Sequence, residues 1–153
     1  MPKIDIAKIP ADAVNNYPDP FWKPVVGRER KRLGNAVGLT QFGVNLTTLK
    51  PGTWSSQRHW HASEDEFIYV LEGEVTLVSD AGRQKLKRGM AAGFPAGQAD
   101  GHQLVNETKK AVLYLEIGDR TPGDGATYSE ADLAAKLVDG KWLFTHKDAS
   151  PYE

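Results

Sequence analysis

Arg58-His59-Trp60-His61-Ala62-Ser63-Glu64-Asp65-Glu66, running on into Phe67-Ile68-Tyr69-Val70-Leu71, is the stretch from which the rest of the 153-residue chain can be read. Along a strand, successive side chains point to opposite faces, so His59 and His61 share one face and Trp60 takes the other. Two imidazoles on one face can chelate a single cation. After a short polar turn, Glu66, Ile68 and Val70 share a face of a second strand, and a hairpin would set Glu66 back beside the histidines. A carboxylate heading an apolar strand is costly to bury alone, and a metal ion would pair with it.

The same short-strand pattern extends both ways. Phe42, Val44 and Leu46 alternate with Gly43, Asn45 and Thr47 until Pro51-Gly52 breaks the run. Downstream, 74–79 alternates, meets the hairpin-type turn Asp80-Ala81-Gly82 and returns over 84–88. A Gly/Pro/Ala-rich stretch over 93–101 leads into 102–106, and 111–117 completes the series. Short strands with turns at roughly 8–12-residue spacing indicate a sandwich or barrel, so residues 36–120 are expected to form an all-β core.

Outside that core, residues 1–35 read as an irregular N-terminal arm, because Pro18, Pro20 and Pro24 exclude a regular helix. Phe21 and Trp22 are its apolar anchors. The basic run Arg28-Glu29-Arg30-Lys31-Arg32 reads as a solvated stretch or a partner for acidic loops. The tail, 121–153, is expected to pack on the barrel. There Ser129 would cap a short helix over 131–137, stopped by Asp139-Gly140, with Trp142 and Phe144 alternating like one last strand.

Composition narrows the chemistry. Nineteen Lys and Arg balance twenty Asp and Glu, which argues against a nucleic-acid binder working by bulk charge. With no Cys, any metal site must be built from His, Asp and Glu. No apolar run approaches the roughly 18 residues of a membrane helix, and residues 1–10 lack the features of a signal peptide. The expected setting is the cytoplasm, away from membranes.

A third histidine, His102, opens a strand after the Gly-rich loop. His146 lies in the polar tail without a partner at chelating spacing and reads as a surface or packing residue. Taken in order, Gly52, His59-x-His61, Glu66 and Gly73, then Gly89, Pro95, Gly97, His102 and Asn106, resemble the two motifs of the cupin superfamily. Two departures stand out: one extra residue between Gly52 and His59, and four rather than two residues between Gly97 and His102. The resemblance covers roughly residues 40–118.

That resemblance implies a jelly-roll-like double-sheet β-barrel holding one divalent cation through His59, His61, Glu66 and His102. It also implies a homodimer. Three imidazoles and one carboxylate suit iron, manganese, nickel, copper, cobalt or zinc. The ion with one carboxylate leaves about +1 in a low-dielectric interior, which favours an anionic or oxygen-donating small-molecule ligand. Gln57, Phe67, Tyr69 and Tyr114 are candidates for the pocket lining. Glu116 reads as either a second acid in the barrel mouth or, preferred, an ordinary exposed carboxylate; Glu64 and Asp65 read as solvated turn residues, with a one-residue register shift making Asp65 the ligand instead. Trp54 and Trp60 could anchor an interface or the arm. The function expected first is a metal-dependent enzyme of dioxygenase or isomerase type, although no residue stands out as an isomerase base. The alternative is a non-catalytic module that binds a sugar or carboxylate.

Overall fold

The computed structural model describes residues 3–152. Two antiparallel sheets face each other. One is built from β1 (Arg28–Arg32), β2 (Phe42–Leu49), β9 (Val112–Asp119), β4 (Glu66–Glu72) and β7 (Ala91–Phe94), in that order across the sheet. The other runs β12 (Lys141–Thr145), β11 (Ala134–Val138), β10 (Gly125–Tyr128), β3 (His59–His61), β8 (His102–Val105), β5 (Glu74–Ser79) and β6 (Gly82–Lys87). Helix is confined to one turn at Leu33–Ala36 and two short 3₁₀ turns. None of the described helices is long and apolar enough to cross a membrane.

Alternation builds the core, as the strand periodicity requires. Ile68 and Val70 of β4, Val112 and Tyr114 of β9, and Leu49 of β2 pack inward against Val75, Leu86 and Leu104 of the opposite sheet. A second cluster under the tail joins Ala126, Tyr128, Ala131, Leu133 and Ala135 with Tyr17, Phe21 and Phe144. Phe21 therefore anchors the arm as expected, whereas Trp22 stays 40% exposed. Gly73 makes the tight β4–β5 connection at φ 84°, where a Cβ would meet Ala111 O at 3.0 Å.

Two expectations need correction. The tail has no helix: 134–138 is a strand, and its partner is the Trp142-Phe144 strand across the turn Asp139-Gly140. Both turn residues have positive φ (50° and 76°), the two-residue primed turn for which Asp-Gly is a strong signal. Alanine-rich composition favours helix only weakly, and pairing with β10 and β12 overrides it. The arm, in turn, is not wholly irregular. Its basic run forms β1, in register with β2 from Arg28↔Leu49 to Arg32↔Asn45. Alternation then turns Arg28, Arg30 and Arg32 towards the barrel interior and away from solvent, where Arg30 and Arg32 meet the acidic partners Glu116 and Asp12.

Asn106, the last residue of the second motif, is structural. It is fully buried; its amide donates to Leu49 O (2.9 Å) and Lys110 O (2.8 Å) and its carbonyl accepts from Thr108 N (3.0 Å). Truncation would strand these groups out of reach of water. Asn106→Ala is expected to cost about 2–4 kcal/mol, a drop in Tm of roughly 5–12 °C for a chain this size, read by thermal unfolding.

Candidate metal centre

The sheets bring the predicted residues to one end of the barrel. β3 presents His59 and His61, β8 opens with His102 directly in register with His59, and β4 of the facing sheet opens with Glu66. The Nε2 atoms of His59 and His61 lie 3.2 Å apart. Glu66 Oε1 is 3.4 Å from His61 Nε2, 3.9 Å from His59 Nε2 and 3.0 Å from His102 Nε2. For bonds near 2.1 Å, ligand atoms around one cation sit about 3.0 Å apart at right angles and about 3.4 Å apart at the tetrahedral angle. His59, His61 and Glu66 thus form a group that could hold a metal, and His102 joins it through Glu66.

Ring orientation supports the fit. His59 Nδ1 is 2.7 Å from Gln57 O, and a carbonyl only accepts, so Nδ1 carries the proton and Nε2 is bare. His61 Nδ1 is 2.6 Å from Asp124 Oδ2, which fixes the same tautomer. The two Nε2 atoms therefore face each other across 3.2 Å beside a carboxylate. A cation between them would be coordinated by both. Burial draws the His59 imidazole down to about 4, so it is neutral near pH 7. Burial would raise Glu66, but the His102 hydrogen bond and the neighbouring imidazoles outweigh it and hold the carboxyl at about 2. Imidazole nitrogens with one ionised oxygen are the donors a borderline divalent ion takes, and His102 Nε2, which donates to Glu66 Oε1, would give up that proton on joining them.

The cluster lines an open cavity of about 770 Å³. Of the proposed lining residues, Tyr114 is fully buried and faces it, and Phe67 reaches its rim although 42% exposed. Tyr69 turns outward at 39% exposure. Gln57 is buried below the site, donating to Phe21 O at 2.9 Å and orienting His59 through its own carbonyl. His146 pairs with Asp132 in the tail, away from the cluster. Trp60 lies on the opposite face of β3, and Trp54 ties to the arm through its backbone N–H, which donates to Pro24 O.

Several residues in the cavity escaped the sequence reading. Glu116 is not an ordinary exposed carboxylate: it lines the cavity and pairs with Arg30 Nε at 2.5 Å. Glu64 is half-buried in the wall, with Oε2 accepting from Thr121 N at 3.3 Å; burial, and then the Asp124 charge, push its carboxyl up to about 7. Asp124 is fully buried, and its second oxygen accepts from Ser63 N at 2.8 Å. Nothing in Pro122-Gly123-Asp124-Gly125 announces that role, because its partners lie some sixty residues away. Trp142 and Phe144, from the strand at the end of the chain, complete the wall.

A family model described as the cupin domain matches residues 45–118. A sugar phosphate isomerase from the cupin superfamily of Silicibacter pomeroyi is 43% identical, with 99% of this chain and 97% of that one covered at a TM-score of 0.95. The chain belongs to the cupin superfamily. A second relative, from Acidithiobacillus ferrooxidans and with sugar phosphate isomerase as its proposed assignment, is 30% identical over 82% of this chain and 80% of its own, at a TM-score of 0.74. A polyketide cyclase from Streptomyces resistomycificus is 21% identical over 78% of this cupin and 79% of its own chain, with a TM-score of 0.64, and shares the fold. No curated protein matches this cupin.

Proposed function

We propose that this cupin is a metal-dependent isomerase of phosphorylated sugars, with His59, His61, Glu66 and His102 as the metal ligands. The observation that carries the reading is the pair of histidine Nε2 atoms converging beside Glu66 at the cavity, with Glu64 in the same wall. The sugar phosphate isomerase from Silicibacter pomeroyi, 43% identical over nearly the whole chain, favours isomerisation over oxygenation. A bound divalent ion would supply Lewis-acid polarisation of the sugar's carbonyl and neighbouring hydroxyl. The chain's own residues do the rest. Glu64 takes a proton from the carbon beside the carbonyl and returns one to the former carbonyl carbon, so no oxidant or reductant is consumed. Trp142 and Phe144 cover one side of the cavity with apolar surface and limit water around the exchanging proton.

The test is direct. Metal-loaded protein is incubated with five- and six-carbon aldose phosphates, and ketose formation is followed by NMR with and without oxygen. Interconversion independent of oxygen is expected. Oxygen uptake coupled to substrate loss would replace this reading with a dioxygenase, and sugar binding without product would replace it with a binding module. Glu64→Gln is expected to lower kcat by at least about 100-fold, the usual contribution of a positioned acid–base group, while metal content stays at wild-type level.

A further inference from the structure

We propose that the inner face of β1 and β9 seats the phosphate of the substrate, with Arg28 as its anchoring cation and the Tyr114 hydroxyl as a second donor. This deepens the isomerase reading and rests on it for the identity of the molecule carrying the phosphate. Arg28 is 7% exposed and lines the same cavity as the histidine cluster. Its guanidinium donates to Ser55 O (2.5 Å) and Val14 O (3.0 Å), both neutral carbonyls, and among the described residues it has no carboxylate in ion-pair range. Its neighbours on β1 differ: Arg30 pairs with Glu116 and Arg32 with Asp12. Glu116 is further engaged by Asn45 Nδ2 at 3.1 Å. Arg28 is therefore the cation of this wall without an anion of its own, and burying an uncompensated charge is costly unless something pairs with it.

The groups beside it lack partners too. Tyr114 is fully buried, and its hydroxyl has no hydrogen-bond partner among the described residues. Neither does the buried hydroxyl of Thr47, which stands directly across from Tyr114 in the β2–β9 register and across from Arg30 in the β1–β2 register. Native interiors seldom leave such groups unmet, and those that are unmet mark a place for a guest. Arg28 can only donate, and the Tyr114 hydroxyl, which also lines the cavity, can donate too, so an acceptor-rich guest satisfies both. A phosphate brings several charged acceptor oxygens to match the planar guanidinium. Burial draws Arg28 down to about 10, which leaves it charged at neutral pH.

Calorimetry of the full chain, stripped of metal by a chelator and titrated with inorganic phosphate, tests this seat apart from metal binding and turnover. Phosphate binding is expected in the wild type, weakened about tenfold or more in Arg28→Lys, where the fork is lost, as for a charge-assisted hydrogen bond. Tyr114→Phe is expected to weaken it about threefold, as for a neutral hydrogen bond, while melting at or above the wild-type temperature because an unpaired hydroxyl is removed. That variant keeps the test decisive should Arg28→Lys fold poorly. No heat with phosphate up to about 10 mM, where even a millimolar site would be nearly filled, would overturn the proposal. Equal affinity in wild type and Tyr114→Phe would do the same for the Tyr114 contact. Acetate binding as tightly as phosphate would overturn the phosphate assignment in favour of a carboxylate.

Discussion

His61→Ala is expected to abolish tight metal binding: from about one equivalent per chain, retention under chelator competition should fall below a tenth. Removing a residue that only supports a ligand typically costs 10- to 100-fold in affinity, so loss of a ligand itself should exceed about 100-fold. The imidazole is central to the cluster, with Nε2 3.2 Å from His59 Nε2 and 3.4 Å from Glu66 Oε1. The barrel should survive, because the core of Leu49, Val70, Val75, Val112 and Tyr114 touches neither nitrogen. Some stability will go, since Asp124 loses its His61 partner while staying buried, a penalty of about 1–3 kcal/mol. Elemental analysis and far-UV circular dichroism on the same sample separate the two effects. One full equivalent of metal on folded His61→Ala protein would show the ligand set to be wrong.

What was legible in the sequence was whatever is encoded by short-range period. His-x-His puts two rings on one face of any strand, and Glu66 heads an alternating run whose inward residues, Ile68 and Val70, are buried as parity requires. The tail misled because composition was weighed over turn chemistry: Asp139-Gly140 is a hairpin turn, and read as one it makes 134–138 a strand by necessity. The basic run was misjudged differently. Five charged residues in a row suggest solvent, yet a two-residue period sends every second residue, and so all three arginines, inward once the segment pairs with β2. Asp124 lay beyond any local pattern, because its function is defined by His61 and Ser63 across the barrel end. Glu64 was hidden by its neighbours. In Glu64-Asp65-Glu66, three acids in a row look like one solvated turn, but the chain sends them to three environments. Asp65 caps the Ala96 N–H at 2.7 Å, Glu66 faces the histidines, and Glu64 enters the cavity wall.

Asp124→Asn decides whether Asp124 supports a ligand or is one. His61, Glu64 and Asp124 form a second group whose donor atoms lie close enough for a cation. The hydrogen bonds argue against that use. Asp124 is fully buried, with Oδ2 taken by His61 Nδ1 at 2.6 Å and Oδ1 by Ser63 N at 2.8 Å. An ion there would take the His61 Nδ1 lone pair and break its hydrogen bond to Asp124, and Nε2, then the protonated nitrogen, could not also ligate an ion beside Glu66. Asp124 therefore holds the ring, fixes its tautomer and, by its charge, raises the basicity of Nε2. An asparagine can keep only one of the two contacts, because its amide nitrogen must then face another N–H donor. Metal affinity is expected to fall about 10- to 100-fold, short of the loss in His61→Ala, with stability lower by about 2–4 kcal/mol. Competitive zinc titration of Asp124→Asn, Glu64→Gln and His61→Ala orders the three. A supporting Asp124 gives an intermediate affinity with Glu64→Gln at wild-type level. If Asp124→Asn and Glu64→Gln both lose metal as completely as His61→Ala, the cation belongs to the second group, and Glu66 and His102 need another explanation.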